Sequence, residues 1–267
     1  MSEKKPLLTV ENLSVEFRTE KGIVKAVDDI SFEVNEGEPV GIVGESGSGK
    51  SVTALTILQL VPNPPGRITS GRILLDGVDI LSKNQGEMRK IRGNLASMIF
   101  QEPMTALNPV YTIANQMTEV IRVHQPVSKK EALHIAVQML DTVNIPNAAE
   151  RVKQYPHELS GGMRQRVMIA MALSCNPKLL IADEPTTALD VTVQAQVLEE
   201  IRKQQSQRNM GMILITHDLG VVAETCKRVV VMYKGKIVEV AETEQLFRNP
   251  QHPYTQKLLG SVLSLRE

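Results

Sequence analysis

The sequence predicts an α/β fold with a parallel sheet at its centre, and three observations support that prediction. Four short apolar runs have the continuous hydrophobic character of strands that are buried in parallel sheets. Two alternating segments near the N-terminus, 7–17 and 24–34, predict an antiparallel β-layer before that core. In 102–159, prolines and polar helical patterns replace strand patterns, which predicts an inserted α-helical subdomain. The four apolar runs occupy residues 39–43, 96–100, 179–182 and 212–215.

These segments predict one domain whose parts are not continuous along the chain. The β-layer and the parallel core are expected to comprise 1–101 and 160–240, on either side of the helical subdomain. Residues 241–267 carry a helical pattern that is broken near Pro250 and Pro253, so this part is expected to be a C-terminal helical tail. A chain of 267 residues is long enough to bury the core of such a domain.

The composition limits the classes of partner that the chain is expected to have. Its 30 Lys and Arg residues balance 30 Asp and Glu residues, so no basic field indicates binding to nucleic acid. The two cysteines, Cys175 and Cys226, lack the spacing of metal ligands. No apolar run approaches the roughly 18 residues that a membrane helix requires, and the start of the chain shows no signal-peptide pattern. We therefore expect a cytosolic chain, or one that reaches a membrane through a partner.

A glycine-rich segment follows the first apolar run and fits the pattern G-x-x-x-x-G-K-[ST] at every fixed position. It consists of Gly44, Glu45, Ser46, Gly47, Ser48, Gly49, Lys50 and Ser51. Gly47 and Gly49 lack a Cβ, so consecutive backbone N–H groups can surround phosphate oxygens at the start of the following helix. Lys50 can reach the β- and γ-phosphates, and the Ser51 hydroxyl can ligate Mg²⁺. A plain glycine-serine turn is the alternative, but it does not explain the strand and helix that flank the segment.

Polar residues follow the ends of the other three apolar runs. Gln101 follows one run, Asp183 and Glu184 follow the next, and His217 comes shortly after the last. Ligands of open α/β sheets bind at the carboxyl ends of parallel strands, so a parallel core brings these side chains to one nucleotide. The oxygens of Asp183 suit Mg²⁺, while Glu184 can polarise the attacking water. The alternatives are a pair of solvated acids and a structural histidine.

With these residues, the chain resembles the nucleotide-binding subunits of ABC transporters. The matching motifs keep that family's order along essentially the whole chain. Besides the glycine-rich segment, they are Gln101, the signature Leu159-Ser160-Gly161-Gly162-Met163, the strand that ends in Asp183-Glu184, the D-loop Ala188-Leu189-Asp190 and His217. Met163 departs from the glutamine that many members carry, but it lies beside the phosphate-contacting residues rather than among them. The resemblance implies a RecA-like P-loop NTPase core that hydrolyses ATP with Mg²⁺.

The resemblance also implies a role for each candidate residue. The catalytic residues are expected to be Lys50, Gln101, Glu184 and His217, and the Mg²⁺ ligands Ser51, Gln101 and Asp183. Phe17 lies where the family has the aromatic residue that stacks on adenine, although on its own it is more typical of a core residue. The remaining ATP-binding residues are expected to be Gly44, Glu45, Ser46, Gly47, Ser48, Gly49, Val52, Ser160, Gly161, Gly162 and Asp190, in addition to Lys50 and Ser51.

The resemblance implies several partners. In the family, ATP lies between the glycine-rich loop of one subunit and the signature of another, so a second ABC ATPase subunit, identical or related, is expected. Two transmembrane permease subunits, indirect contact with an extracytoplasmic solute-binding protein and a peripheral position on the cytoplasmic face of the inner membrane are also implied. A permease helix is expected to dock in a groove near Met104, Leu107 and Tyr111. Packing in the core of the helical subdomain is the alternative for each of these three residues.

Two segments resemble the branch that contains dipeptide, oligopeptide and nickel importers. They are residues 100–109 and the tail string Asn249-Pro250-Gln251-His252-Pro253-Tyr254-Thr255. We therefore expect an import ATPase for peptides, with nickel or metal-chelate import as the alternative. A soluble ABC ATPase is less consistent with the sequence, since such proteins usually have two cassettes or a long coiled-coil insertion. A small-molecule P-loop kinase would not explain residues 159–163.

Overall fold

The computed structural model describes residues 6–101, 106–186 and 191–263. The chain divides into two compact units, of which the first combines Met1–Met88 with Gly211–Glu267 and the second is Arg89–Met210. The strands are β1 (Leu8–Thr19), β2 (Gly22–Val34), β3 (Pro39–Val43), β4 (Gly66–Leu75), β5 (Val78–Asp79), β6 (Ala96–Ile99), β7 (Leu179–Asp183), β8 (Gly211–Ile215), β9 (Arg228–Tyr233) and β10 (Lys236–Glu242). The helices are α1 (Lys50–Ile57), α2 (Gln85–Ile91), α3 (Ile113–His124), α4 (Lys129–Thr142), α5 (Ala148–Arg151), α6 (Gly161–Leu173), α7 (Val191–Gln207), α8 (Leu219–Thr225), α9 (Thr243–Arg248) and α10 (Pro253–Leu263), with a 3₁₀ turn at Pro156–Glu158.

The first unit contains the predicted antiparallel β-layer, in the strand order β2-β1-β4-β5. β1 pairs with β2 on one edge and with β4 on the other, and both pairings are antiparallel. The apolar residues Leu8 and Val10 of β1, which share one face, are buried, as expected of a half-buried sheet. β4 begins at Gly66, and its pairing with β1 draws a mostly polar segment into the sheet.

The first unit also carries the strands around the glycine-rich segment. β3 pairs in parallel with β8 on one side and with β9 on the other, and all five of its residues are buried. The register places Ile42 opposite Ile215, so Gly44 and His217 follow strands that end at the same edge. β9 continues into β10 as an antiparallel hairpin, through a turn in which Lys234 has φ 47°. In this unit the sheet therefore confirms the predicted parallel pairing of the apolar runs.

The second unit contains a parallel strand pair and most of the helices. β6 and β7 pair from Ala96 opposite Leu179 to Ile99 opposite Ala182. Helix α4 begins at Ser128, whose hydroxyl accepts from a backbone N–H of the first turn in a complete capping box. Residues of α3, α4 and α6 form an apolar core in this unit. Its members include Ile113, Met117, Ile121, Ala136, Leu140 and Val167.

The three residues expected near a docking groove differ in their placement. Leu107 is only 2% exposed, so it belongs to the core of the second unit and the groove interpretation is wrong for this residue. Tyr111 is 52% exposed and its neighbour Val110 is 71% exposed, so both present apolar surface. Met104 lies outside the described residues.

Candidate functional site

The glycine-rich loop owes its shape to glycines at positions that other residues cannot occupy. Gly44 has φ 152°, and a Cβ there would collide with the carbonyl oxygen of Met232. Gly49 has φ 103°, and a Cβ there would collide with the carbonyl oxygen of Ala26. Gly47 has φ 76°, but a Cβ would meet no heavy atom within 4 Å among the described residues. The loop is therefore packed tightly at both ends and open at its middle, as a loop that admits a ligand must be.

Lys50 begins helix α1 and bends back over this loop. The lysine is only 7% exposed, and its Nζ donates to the carbonyl oxygens of Gly44 at 2.7 Å and Glu45 at 2.9 Å. The helix start adds the positive end of its dipole. The buried hydroxyl of Ser48 has no hydrogen-bond partner among the described residues. A bound anion would give this hydroxyl a partner and would face the ammonium group, so the residues present fit a phosphate group.

The other nucleotide candidates of the first unit lie at its strand ends and on the β-layer. Ser51 and Val52 are partly exposed on the first turn of α1. His217 is exposed and follows β8, at the edge where β3 runs into the loop. Phe17 is half-buried on β1, and its ring lies 2.9 Å from the position that a Cβ on Gly66 would take. The half-exposed ring is consistent with stacking on a base, which needs one free face.

The second unit brings together two of the predicted catalytic side chains. Gln101 Nε2 donates to Glu184 Oε2 at 3.1 Å. The contact follows from the strand register, because β6 and β7 pair with a constant offset of 83 residues and 101 and 184 differ by the same number. Glu184 has φ 45°, an uncommon conformation for a residue with a Cβ and one that clusters at functional sites. The preceding Asp183 ends β7 with only 4% of its surface exposed.

A buried side chain of helix α6 supports the turn after Glu184. Gln165 Nε2 donates to the carbonyl oxygen of Pro185, and the Gln165 side chain is buried. Two side-chain amides therefore hold this turn: Gln165 binds the Pro185 carbonyl oxygen, and Gln101 binds the Glu184 carboxylate. This contact was not predicted from the sequence. Gln165 belongs to no recognised motif, and nothing in the helical pattern indicates that its side chain donates to a distant backbone carbonyl.

The signature residues form the exposed start of α6. Ser160 is the N-cap, and its hydroxyl accepts from the Met163 N–H at 3.3 Å. A Cβ on Gly161 would meet no heavy atom within 4 Å among the described residues, whereas one on Gly162 would lie 2.9 Å from Val193 Cγ1. Gly162 is therefore required for packing against α7, and the exposed Gly161 leaves the helix start open. Asp190 of the predicted D-loop lies outside the described residues.

The types of the predicted ligands suit Mg²⁺ bound together with a substrate. The predicted ligands Ser51, Gln101 and Asp183 offer oxygen atoms, which a hard cation prefers. No group of three or more His, Cys, Asp or Glu side chains that could hold a metal occurs among the described residues. Mg²⁺ commonly uses few protein ligands and completes its coordination with substrate phosphates and water, so such a sparse set fits this ion. Burial raises the pKa of Cys175 and raises that of Cys226 to about 12, so neither cysteine supplies a thiolate at neutral pH.

Comparison with known proteins identifies the family. The family model described as "ABC transporter" matches residues 27–187, which include the glycine-rich loop, the signature and the turn at Glu184. The chain belongs to the ABC transporter family. A second family model, described as "Oligopeptide/dipeptide transporter, C-terminal region", matches residues 238–267 of this ABC transporter chain. Within the described residues, no helix is both long and apolar enough to cross a membrane.

Individual relatives and solved structures agree with this assignment. The oligopeptide transport ATP-binding protein AppD of Bacillus subtilis is 56% identical over 256 residues, which are 96% of this chain and 78% of AppD. The oligopeptide transport ATP-binding protein OppD of the same organism is 52% identical over 259 residues, which are 97% of this chain and 72% of OppD. The dimeric post-hydrolysis structure of the ATP-binding cassette MJ0796, bound to ADP and Pi, superimposes with a TM-score of 0.80 at 26% identity, covering 88% of this chain and 98% of that one. The predicted P-loop NTPase fold is thus confirmed.

One contact at the loop was not predicted from the sequence. Tyr254 at the start of α10 accepts a hydrogen bond through its hydroxyl from the Glu45 N–H, at 2.9 Å. Tyr254 belongs to the tail string that indicated the importer branch, but its pattern does not predict a partner 209 residues away.

Proposed function

We propose that this chain binds and hydrolyses ATP, with Mg²⁺, as the ATP-binding subunit of an importer for di- and oligopeptides. The observation that carries the proposal is the combination, in one chain, of an ABC transporter cassette and a segment that matches the C-terminal region of oligopeptide and dipeptide transporters. AppD and OppD, at 56% and 52% identity, are named for oligopeptide transport, which supports the same class of cargo.

In this proposal the glycine-rich loop binds the phosphates. Backbone N–H groups from Gly47 to Val52 surround the phosphate oxygens, where the dipole of α1 favours negative charge. The Lys50 ammonium, which lies over the loop, contacts the β- and γ-phosphates. Phe17 stacks on the adenine, and the exposed Glu45 and Ser46 flank the loop entrance. The loop geometry supports this role because its open middle and the Ser48 hydroxyl, which has no partner in the described part of the chain, both suit an anion.

The hydrolytic step is assigned to Glu184. Its carboxylate accepts a proton from the attacking water, and the Gln101 amide holds the carboxylate through one oxygen. His217 donates to the γ-phosphate. Ser51, Asp183 and the Gln101 oxygen would hold Mg²⁺, which neutralises phosphate charge when it is bound.

The signature is proposed to act on a nucleotide of a second ABC ATPase subunit. Ser160, Gly161 and Gly162 begin a 13-residue helix, whose N-terminus is an anion site. The exposure of Ser160 and Gly161 supports this role, since a partner can reach them. Asp190 is proposed to contribute to the same subunit contact. ATP would then favour the paired state by its differential affinity for it.

Transport itself is proposed to require membrane partners. Two permease subunits would form the path for the peptide, and an extracytoplasmic solute-binding protein would deliver it. The chain would then lie at the cytoplasmic face of the inner membrane, in contact with the permeases.

Peptide-stimulated hydrolysis tests the proposed cargo. The chain should be reconstituted in proteoliposomes with its permeases, second ATPase subunit and solute-binding protein, and supplied with di- and oligopeptides. We expect peptides to raise ATP hydrolysis and to accumulate inside the vesicles, and Lys50→Ala to abolish both effects. Stimulation by Ni²⁺ or a nickel chelate, without an effect of peptides, would overturn the peptide assignment and favour the nickel alternative.

A charge on the exposed apolar surface at Tyr111 should uncouple hydrolysis from uptake. Tyr111 and Val110 expose large apolar side chains, which is typical of a contact with another protein. Tyr111→Asp should keep the basal ATPase of the isolated chain, while peptide-stimulated hydrolysis and uptake fall together by at least about tenfold, because a buried unpaired charge weakens an interface by several kcal/mol. Val123→Asp, on the exposed surface of α3, is the matched control and should behave as the wild type. Unchanged uptake in Tyr111→Asp would place the permease contact elsewhere.

A further inference from the structure

A buried tyrosine of the C-terminal segment contacts the phosphate-binding loop. Tyr254 accepts from the Glu45 N–H at 2.9 Å through its Oη, and the residue is 8% exposed. Its ring packs on that of Tyr233, with the centroids 4.2 Å apart and the planes inclined by 31°. Both tyrosines belong to the first unit, as does the loop. The first residue after Gly44 is therefore tied to the tail.

Hydrogen bonds to strand β10 and within the turn before α10 fix the position of this tyrosine. The Glu239 carboxylate accepts from the N–H groups of Gln251 and His252, each at 2.9 Å. His252 Nδ1 in turn accepts from the Tyr254 N–H at 3.1 Å. Burial alone would raise the pKa of Glu239, but the hydrogen bonds from the turn outweigh it and the pKa is lowered. Glu239 therefore stays ionised at neutral pH and keeps the turn in place.

The Glu45 peptide links the tyrosine to the lysine of the loop. The Glu45 N–H donates to Tyr254, and the carbonyl oxygen of the same peptide group, which belongs to Gly44, accepts from Lys50 Nζ at 2.7 Å. On the N-terminal side, the peptide follows Gly44, which lies so close to the Met232 carbonyl that no Cβ fits. A shift of the Glu45 peptide would therefore move one of the two carbonyl oxygens that hold the ammonium group.

We propose that Tyr254 is a positioning residue for Lys50, through which the C-terminal segment sets the affinity of the phosphate-binding loop for nucleoside triphosphates. This inference rests on the proposed binding of phosphates by the loop and Lys50. It gives the segment that matches the transporter C-terminal region a role in nucleotide binding. The loop's own residues do not satisfy the Glu45 N–H; a residue of the tail does.

The chemistry of the phenol suits this role. Burial raises the pKa of Tyr254, so the hydroxyl remains neutral at physiological pH and offers lone pairs to the N–H. The ring stack with Tyr233 holds the hydroxyl in place and does not depend on it. Removing the hydroxyl leaves the Glu45 N–H without its acceptor, so the peptide is free to turn and to release the Lys50 contact.

The test compares two tyrosine-to-phenylalanine variants of the full chain. Tyr254→Phe removes the hydroxyl that contacts the loop, and Tyr233→Phe removes the hydroxyl of the other ring in the same stack. We expect the dissociation constant for ATP–Mg²⁺ to rise about two- to tenfold in Tyr254→Phe, the equivalent of one net hydrogen bond. Tyr233→Phe should keep the wild-type constant. Both variants should melt within a few degrees of the wild type without nucleotide, because the ring stack remains.

A double-mutant cycle separates positioning of Lys50 from a general effect on the fold. In a Lys50→Ala background, Tyr254→Phe should cause no further loss of ATP affinity. An equal loss in both backgrounds, or equal affinities of Tyr254→Phe and Tyr233→Phe, would overturn the positioning role. Wild-type affinity in Lys50→Ala itself would instead overturn the proposed phosphate site, so the two failures are distinguishable.

Discussion

Replacing Glu184 with glutamine should lower the rate of ATP hydrolysis by at least about 10²-fold while ATP binding persists, since a general base typically contributes that much. The amide has nearly the same shape as the carboxylate but cannot accept a proton from water at neutral pH. The change lies at the end of β7, in the second unit, and leaves the residues of the glycine-rich loop unaltered. Single-turnover hydrolysis and equilibrium ATP binding by the purified chain measure the two effects separately.

The control for this experiment is the same chemical change on a solvent-exposed helix. Glu224→Gln, on α8, should keep wild-type hydrolysis because its side chain is exposed at a position without a proposed role. Gln101→Ala gives a graded comparison, since it removes the amide that holds Glu184 but leaves the carboxylate. Its rate should fall between those of the wild type and Glu184→Gln. A Glu184→Gln protein that hydrolyses ATP at the wild-type rate would remove Glu184 from the mechanism.

The fold was predictable where a periodic pattern coincides with burial. The apolar runs of β3 and β7 are buried throughout, and continuous burial is what their sequences predict. Residues 191–207 carry a regular apolar stripe that predicts a helix, and α7 has these bounds. Helix α8 was not predicted, since its seven residues are too few to show a period, and the Asp218 side chain that caps it looks like part of a loop.

The site was predictable to the extent that its motifs are local in sequence. The predicted parallel core placed Gln101 and Glu184 at one edge, but their mutual contact follows from the strand register, which the apolar pattern does not specify. The bond between Tyr254 and Glu45 was not predictable, because it joins residues 209 positions apart through one hydroxyl. For Leu107 the sequence did not distinguish a core residue from a residue of the docking groove. Its burial in the second unit shows that it is a core residue.

A negative charge at Gly161 should abolish ATP-driven pairing of subunits. Gly161 lies at the exposed start of α6, where a Cβ meets no described atom within 4 Å, so an aspartate there is tolerated by the packing. An acidic residue in the first turn also suits the helix dipole, so the fold should not lose stability. If phosphates of a partner's nucleotide bind at this helix start, however, the carboxylate repels them. Like charges at an interface cost several kcal/mol, which corresponds to a loss of association of at least about 10²-fold.

Sedimentation of the Glu184→Gln protein, which should retain its ATP, measures this effect. With ATP–Mg²⁺ it should form a larger species than without nucleotide, alone or with a related second subunit. Adding Gly161→Asp should remove the larger species, whereas Gly161→Asn, of nearly equal size but without charge, should retain it to a large extent. Equal association of the Asp and Asn variants would show that no anion binds at this helix start, because only the charge distinguishes the two side chains.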